Sequence, residues 1–349
     1  MSFSLTRHLN SLRKLQPAVS RSFPASMTRP YSTSPSSSEL AMIEQWAKDA
    51  KQTRSEVWDR MDSRQLSLLD QTIRPYLPSS YPQHPTDPLF GDITKGTALP
   101  PAAHLVYFPS AKSEQSLSPD GYHAAGAPPA PFVQRMWAGG LIEFRPENPL
   151  RVGSAAQLVS SVEDISVKER AGADPLVFVK FVREMRNELG LSVVERRQLV
   201  YMKPVEVQRK IVRHKRQPEF SHTLTPTEIL LFRYSALTWN SHRIHYDHNY
   251  ACNIENHPGL LVHGPMTCTL LLQLLQANMP KGFVAKSFEY RAVSPMYCQQ
   301  PLTLNGRWSQ RSEGSEAADG SRICELWSAD NDGGITMKGT ATVVPATGE

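Results

Sequence analysis

Apolar positions recur with two different periods along the chain, and the change of period marks the elements. Over residues 39–83 the spacing is helical, with Met42-Ile43, Trp46 and Ala47 in one set and Leu66, Leu68 and Leu69 in another. A stretch dense in Pro, Gly, Ser and Ala then runs to about Phe132 and includes Pro119-Asp-Gly121 and Ala127-Pro-Pro-Ala130. An irregular segment of that length inside a domain is commonly functional. From Arg135 the pattern turns β-like: residues 135–144, 157–167, 176–182 and 191–202 are β-branched, partly alternating runs, as half-buried antiparallel strands require.

The pattern restarts after residue 216. Thr225-Pro-Thr-Glu228 has the form of a capping box with Pro at the first helical position, so a helix is expected from about Pro226, carrying Ile229, Leu230, Phe232 and Tyr234. Residues 240–250 are a polar, histidine-rich break. The most apolar stretch, 259–279, is interrupted by His263, Gly264, Pro265, Gln273 and Gln276, which predicts a core helix starting at Gly264-Pro265 rather than a membrane span. Strand-like runs at 287–293, 302–308, 322–328 and 335–343 close the chain, with Asp332-Gly333-Gly334 as the last hairpin turn. One long helix wrapped by an antiparallel sheet is the hotdog architecture. The first half offers similar strands with a less clear helix, and no internal sequence repeat is visible. The expected fold is α+β, a double hotdog of two antiparallel sheets, each wrapping a long helix.

Charge sharpens the boundaries. The 349 residues carry 38 Lys+Arg and 33 Asp+Glu, a net charge of +5. Arg7, Arg13, Lys14, Arg21 and Arg29 precede the first acid, Glu39, so residues 39–349 hold 33 basic and 33 acidic groups. Leu5, Leu9, Leu12, Leu15 and Val19 form one apolar helix face beside those arginines, amid many serines. That is the signature of a mitochondrial transit peptide over 1–38. The expected division is then an N-terminal hotdog over 39–205, a basic linker over 206–224 and a C-terminal catalytic hotdog over 225–345. A neutral remainder argues against nucleic acid as a partner. The four cysteines contain no CxxC pair and are expected as thiols in a mitochondrial matrix protein.

The candidate chemistry lies in the polar break, Asn240-Ser-His242-Arg-Ile-His245-Tyr-Asp247-His248. Three histidines, an Asn and an Asp at a break between apolar helices admit a metal site, a solvated loop or acid/base catalysis. The spacing matches no familiar zinc helix. Asp247 suits the N-cap of a short helix through Tyr250-Ala251. Together with Pro258-Gly-Leu-Leu-Val-His-Gly-Pro265, this loop resembles the MaoC-like hydratase-2 family, in particular its mitochondrial branch of hydroxyacyl-thioester dehydratases type 2. It is also similar to mesaconyl-C4-CoA hydratases. Arg135-Met-Trp-Ala-Gly-Gly140 and Pro149-Leu-Arg-Val-Gly153 resemble the first hotdog of the same enzymes.

The resemblance implies a hydro-lyase that reversibly dehydrates (R)-3-hydroxyacyl thioesters in mitochondrial type II fatty-acid synthesis. The acyl group would be carried on acyl carrier protein or CoA. A histidine titrating near about 6.5 can both accept and donate protons at neutral pH, so His245 is expected to be the proton shuttle. Helix-start amides at Gly264 and Met266 would face the developing oxyanion, Pro265 having no N–H. His242 and Asp247 would support the loop. Most hydratase-2 sequences place Asp where this chain has Asn240, and a carboxamide cannot act as a base but can orient a water or hydroxyl. A one-base mechanism on His245 is therefore expected, with Asn240 secondary. This chemistry needs no cofactor and no metal.

The alternatives are hydration of branched dicarboxylyl thioesters such as mesaconyl- or itaconyl-CoA, a hotdog thioesterase, and a non-catalytic acyl-binding protein. The first of these needs a cation for the distal carboxylate. Absence of GxSxG, P-loop and GxGxxG patterns removes the usual support for serine hydrolase, NTPase and nicotinamide chemistry. The basic connector with Arg209, Lys210, Arg213, Lys215 and Arg216 is either a solvated linker or a contact for CoA phosphates or an acidic carrier protein. Arg135 and Arg291 are weaker phosphate candidates, and Trp137 would either line an acyl tunnel or pack in the core. A homodimer is the assembly considered.

Overall fold

The computed structural model describes residues 37–122, 126–170, 173–204, 211–309 and 320–346. The expected transit peptide lies outside the described residues except for its last two, which open helix α1 (Ser37–Gln52). Arg209 and Lys210 of the connector also lie outside them.

Ten antiparallel strands form one continuous sheet. They are β1 (Arg54–Arg60), β2 (Gln134–Phe144), β3 (Ala155–Arg170), β4 (Ala173–Asn187), β5 (Gly190–Met202), β6 (Phe220–Leu224), β7 (Phe283–Ala292), β8 (Leu302–Trp308), β9 (Arg322–Ala329) and β10 (Ile335–Pro345). Their order is β1-β3-β4-β5-β2-β7-β10-β9-β8-β6. Counted outward from the central β2–β7 pair, each half runs second, fifth, fourth, third, first in its own chain order. The internal duplication that no sequence repeat announces is thus explicit in the topology. The two halves fuse where Gly139 to Glu143 of β2 pair with Arg291 to Ser287 of β7.

The remaining helices are α2 (Ser63–Ile73), α3 (Glu228–Thr238), α4 (His248–Asn253) and α5 (Gly264–Ala277). Helices α2 and α3 each follow the first strand of their half and pack on one another. The apolar stretch becomes α5, buried throughout 266–275 and laid against β8 and β9. Burying so many Leu side chains is the main contribution of this half to stability, at roughly 2 kcal/mol each.

The double hotdog is the fold, with two differences from expectation. The two expected sheets are one continuous sheet, joined edge to edge through β2 and β7. Only the second half has a long central helix among the described residues. Among the described residues, the first half has no counterpart of α5 between α2 and β2. Short 3-10 turns occupy that stretch, such as Ala103–Val106 and Glu114–Ser116. Its Pro and Gly content disfavours a long helix. It is nevertheless tied to the core: Gln273 of α5 donates to the Pro101 carbonyl at 2.7 Å.

Two short edge strands escape the pattern. β1 lies in the segment read as helical, and β6 forms the last five residues of the expected linker. Edge strands bury few side chains, so their alternation is weak. The start of α3 also differs, because Thr227 rather than Thr225 is the N-cap, its hydroxyl accepting from the Leu230 amide at 3.1 Å. Residues before it are held elsewhere: Leu224 pairs with Leu302, and the Pro226 carbonyl accepts from the Gln299 amide.

On β5, alternate residues facing inward are Val193, Glu195, Arg197, Leu199 and Tyr201. Val193 joins the main core, while Leu199 and Tyr201 join a second cluster with Ile43 of α1. A charged band interrupts the apolar face between them. Arg183 of β4, directly opposite Glu195, completes it.

Candidate active site

The histidine loop leaves α3 through Trp239, which adopts a left-handed conformation at φ 52°. The Asn240 side chain then folds back, its Oδ1 accepting from the His242 amide at 3.0 Å. This ties the carboxamide oxygen to the loop backbone. A 3-10 turn, Arg243–His245, follows. Asp247 caps α4 by accepting from the Tyr250 amide and pairs with Arg243 at 2.6 Å. Both bonds hold its carboxyl below the usual range, the capping amide contributing most.

His245 is buried, and its Nδ1 lies 2.8 Å from the Leu261 carbonyl oxygen. A carbonyl can only accept, so Nδ1 carries the proton and Nε2 is left with a lone pair. Burial, reinforced by the neighbouring His242, pushes its pKa down to about 3. The ring is therefore neutral at neutral pH. It stacks on His263 at 3.7 Å between centroids. His263 is the N-cap residue of α5, is fully buried and bonds Ser235 Oγ at 2.8 Å.

Gly264 and Met266 open α5 as expected, where first-turn amides lack an acceptor four residues back. The Gly264 backbone packs on Trp137 of β2 so closely that a Cβ would lie 2.9 Å from the Trp137 Cβ. Trp137 donates from Nε1 to the Tyr290 hydroxyl at 3.0 Å, and the Arg197 guanidinium covers its ring at 4.3 Å.

His242 sits behind His245, their rings 5.6 Å apart edge to face. Its Nε2 lies 3.3 Å from Asp120 and 3.7 Å from Glu255, and Glu255 also faces His257 at 3.7 Å. Burial alone would raise the Glu255 carboxyl, but hydrogen bonds from these two histidines outweigh it and bring the pKa to about 2. Asp120, His242 and Glu255 have the donor types and closeness of a metal site. The Arg135 guanidinium already pairs with the same Asp120 oxygen. A resident cation competes with a metal there, so the group reads as an ion-pair network. Arg135 is thus an internal partner and no phosphate contact.

Asp120 arrives on the loop 118–122. Gly121, at φ +80°, lets that loop touch the histidine loop, where a Cβ would meet the Ser241 carbonyl oxygen. The Asp120 carbonyl accepts from the Arg243 amide at 2.8 Å. Tyr122 follows, its ring 5.8 Å from His242 and 4.1 Å beneath Arg135. Its phenol also lies within electrostatic reach of Arg183 and Arg197. Ring contacts therefore run from Tyr122 through His242 and His245 to His263, and Gly264, next in the chain, packs on Trp137 beneath Arg197.

Sequence reasoning did not single out Asp120, Tyr122, Arg183, Glu195, Arg197, Glu255 or His257 as site residues. They come from both halves, and no local spacing links them. His263 was visible only within the resembling motif. The described connector residues lie elsewhere: His214 stacks on Trp327 at 3.8 Å, Arg216 pairs with Glu325, and Arg291 lines the same outer groove.

Acid should unfold this protein early. His245 and His104, the latter pushed by burial to about 4, stay neutral when folded but protonate below about 6.5 when unfolded. Glu195 and Glu255, both near 2, lose their stabilising charge as pH falls further. All four signs agree, so stability falls from about pH 6.5 towards 3. Tm measured by circular dichroism should decline across that window; a flat profile would remove these ionic and neutral-histidine arrangements from the stability account.

A sheet built of two hotdogs is the fold of MaoC-like dehydratases, and the family match makes the chain a hydro-lyase. The match to the family model of hydroxyacyl-thioester dehydratase type 2 spans residues 102–298, and the chain belongs to that family. It is 35% identical over 227 residues to mesaconyl-C(4)-CoA hydratase of Chloroflexus aurantiacus, covering 63% of this chain and 79% of the relative. It is 32% identical over 235 residues to the mitochondrial hydroxyacyl-thioester dehydratase type 2 of Schizosaccharomyces pombe, covering 60% and 78%. The fold is shared with a MaoC-like dehydratase from Phytophthora capsici, at a TM-score of 0.60 and 15% identity, covering 87% of this chain and 99% of that one. Among the described residues no helix is long and apolar enough to cross a membrane.

Proposed function

We propose that the protein reversibly dehydrates (R)-3-hydroxyacyl thioesters to trans-2-enoyl thioesters with His245 as general acid and base. The observation that carries this reading is the His245 tautomer: Nδ1–H is anchored on Leu261, which leaves the Nε2 lone pair as the basic site of the ring. In dehydration Nε2 takes the proton from C2, and the electron pair of that C–H bond becomes the C2–C3 double bond as the C3–O bond breaks. The same proton then returns to the departing hydroxyl, which leaves as water. A ring so reluctant to hold a proton is a strong acid once charged, which suits the second transfer, but it is a weak base for the first. The expectation of titration near 6.5 does not hold for the ring as buried here. The thioester oxygen gains charge in between, and the α5 start, through the Gly264 and Met266 amides and the positive end of the helix dipole, stabilises it.

The basic, acid-free residues 1–38 and the name of the S. pombe relative support a mitochondrial matrix setting and a role in type II fatty-acid synthesis on acyl carrier protein. A second setting, hydration of a branched dicarboxylyl thioester, is supported by the name of the Chloroflexus relative. The test is purified protein with crotonyl-, longer enoyl- and mesaconyl-CoA. Loss of enoyl-thioester absorbance is expected with at least one of them. Release of free thiol without that loss would make the protein a thioesterase.

A further inference from the structure

Two guanidiniums and one carboxylate lie on the inner face of the first half. Arg183 donates to Glu195 at 2.7 Å, and Arg197 grips the same carboxylate from Nε at 2.8 Å and from a terminal nitrogen at 3.0 Å. Among the described residues no other carboxylate is within ion-pair reach of either arginine. Nearby His104 is kept neutral by burial, and the buried Tyr290 and Cys268 are pushed further from ionising. The cluster therefore carries one positive charge in excess. Arg183 bears the strain of it, burial and Arg197 together pushing its pKa down.

A buried charge without a partner is costly, and apolar residues fill the same face on both sides of this band. Glu195 is wholly buried, whereas the arginine side chains keep 14% and 17% exposure. Only the indole of Trp137 separates Arg197 from the start of α5. Where α5 has no counterpart in the first half, short turns and loop 118–122 take its place, and Tyr122 of that loop lies within electrostatic reach of both arginines.

We infer that Arg183 and Arg197 form a subsite for an anionic group at the far end of the acyl chain, so that the preferred substrate is a short thioester ending in a carboxylate. This rests on the hydro-lyase reading of the His245 site and chooses between its two settings. A four-carbon acyl unit spans about 5 Å, the scale of the indole that separates the α5 amides from the guanidinium. The carboxylate would share the guanidinium donors that Glu195 leaves unused, and it would bring the cluster to neutrality.

Succinyl-CoA and butyryl-CoA test this directly, since they differ by a carboxylate in place of a methyl and neither can be dehydrated. Isothermal titration of the full chain should show succinyl-CoA binding about 10-fold or more tighter. Arg183→Gln and Arg197→Gln each leave Glu195 one arginine and a neutral pair, and each should collapse that ratio to about 2-fold or less. Equal affinities in the unaltered protein overturn the inference without needing any variant. A preference unchanged in both variants overturns it as well. Failure of the hydro-lyase reading looks different: no enoyl thioester would be hydrated, whatever the binding ratio.

Discussion

Replacing His245 with alanine is expected to lower kcat/KM for enoyl-thioester hydration about 10³-fold, within the usual range for a lost general acid/base. The fold should survive, because the ring's interactions are one backbone bond, one stack on His263 and one edge contact with His242. Asn240→Ala should cost far less, about 10-fold. Its Oδ1 is tied to the His242 amide, so the residue shapes the loop and has no free oxygen aimed at substrate. Stopped-flow absorbance with both purified variants gives the ranking. A larger loss for Asn240→Ala would transfer the central chemical role to that side chain. The carboxylates nearest this loop, Asp120 and Glu255, face His242.

Gly264→Ala is expected to be nearly as damaging, for a steric reason. The new Cβ would lie 2.9 Å from Trp137 Cβ and 3.0 Å from Cγ. Trp137 cannot retreat easily, since its backbone pairs with Leu199 and its indole is bonded to Tyr290 and covered by Arg197. The first turn of α5 must move instead, carrying the Gly264 and Met266 amides proposed to face the oxyanion. A displacement near 1 Å in such a site can cost about 10²-fold in rate. Overpacking should also lower stability by about 1–3 kcal/mol. Gly259→Ala is the control, because its Cβ would meet nothing within 4 Å. A folded Gly264→Ala enzyme with unchanged kcat/KM would remove this close approach from catalysis.

The legible parts of the sequence were those in which one local pattern answers one physical demand. Residues buried on a single face produce period-2 runs, and eight of the ten strands follow from them. The edge strands β1 and β6 do not, because half-exposed strands tolerate charge, as in Arg54-Ser-Glu-Val-Trp-Asp-Arg60. The α5 start was readable from Gly264-Pro265, where Pro lacks an amide that a first turn would leave unsatisfied anyway. The α3 cap was misplaced by two residues because its true position is set by β6 pairing and the Pro226 carbonyl, which are tertiary facts.

By itself, then, the sequence determined eight of the ten strands, the core helix and the chemical candidate His245, since each depends on neighbours along the chain. Tertiary structure alone decided the tautomer and surroundings of that histidine. The Leu261 carbonyl that sets its tautomer is 16 residues away, and loop 118–122, which holds His242, is about 120 residues distant. Arg183, Glu195 and Arg197 read as ordinary strand charges until two adjacent strands place them on one inward face. Burial and electrostatic balance are properties of the packed molecule, and no local spacing encodes them.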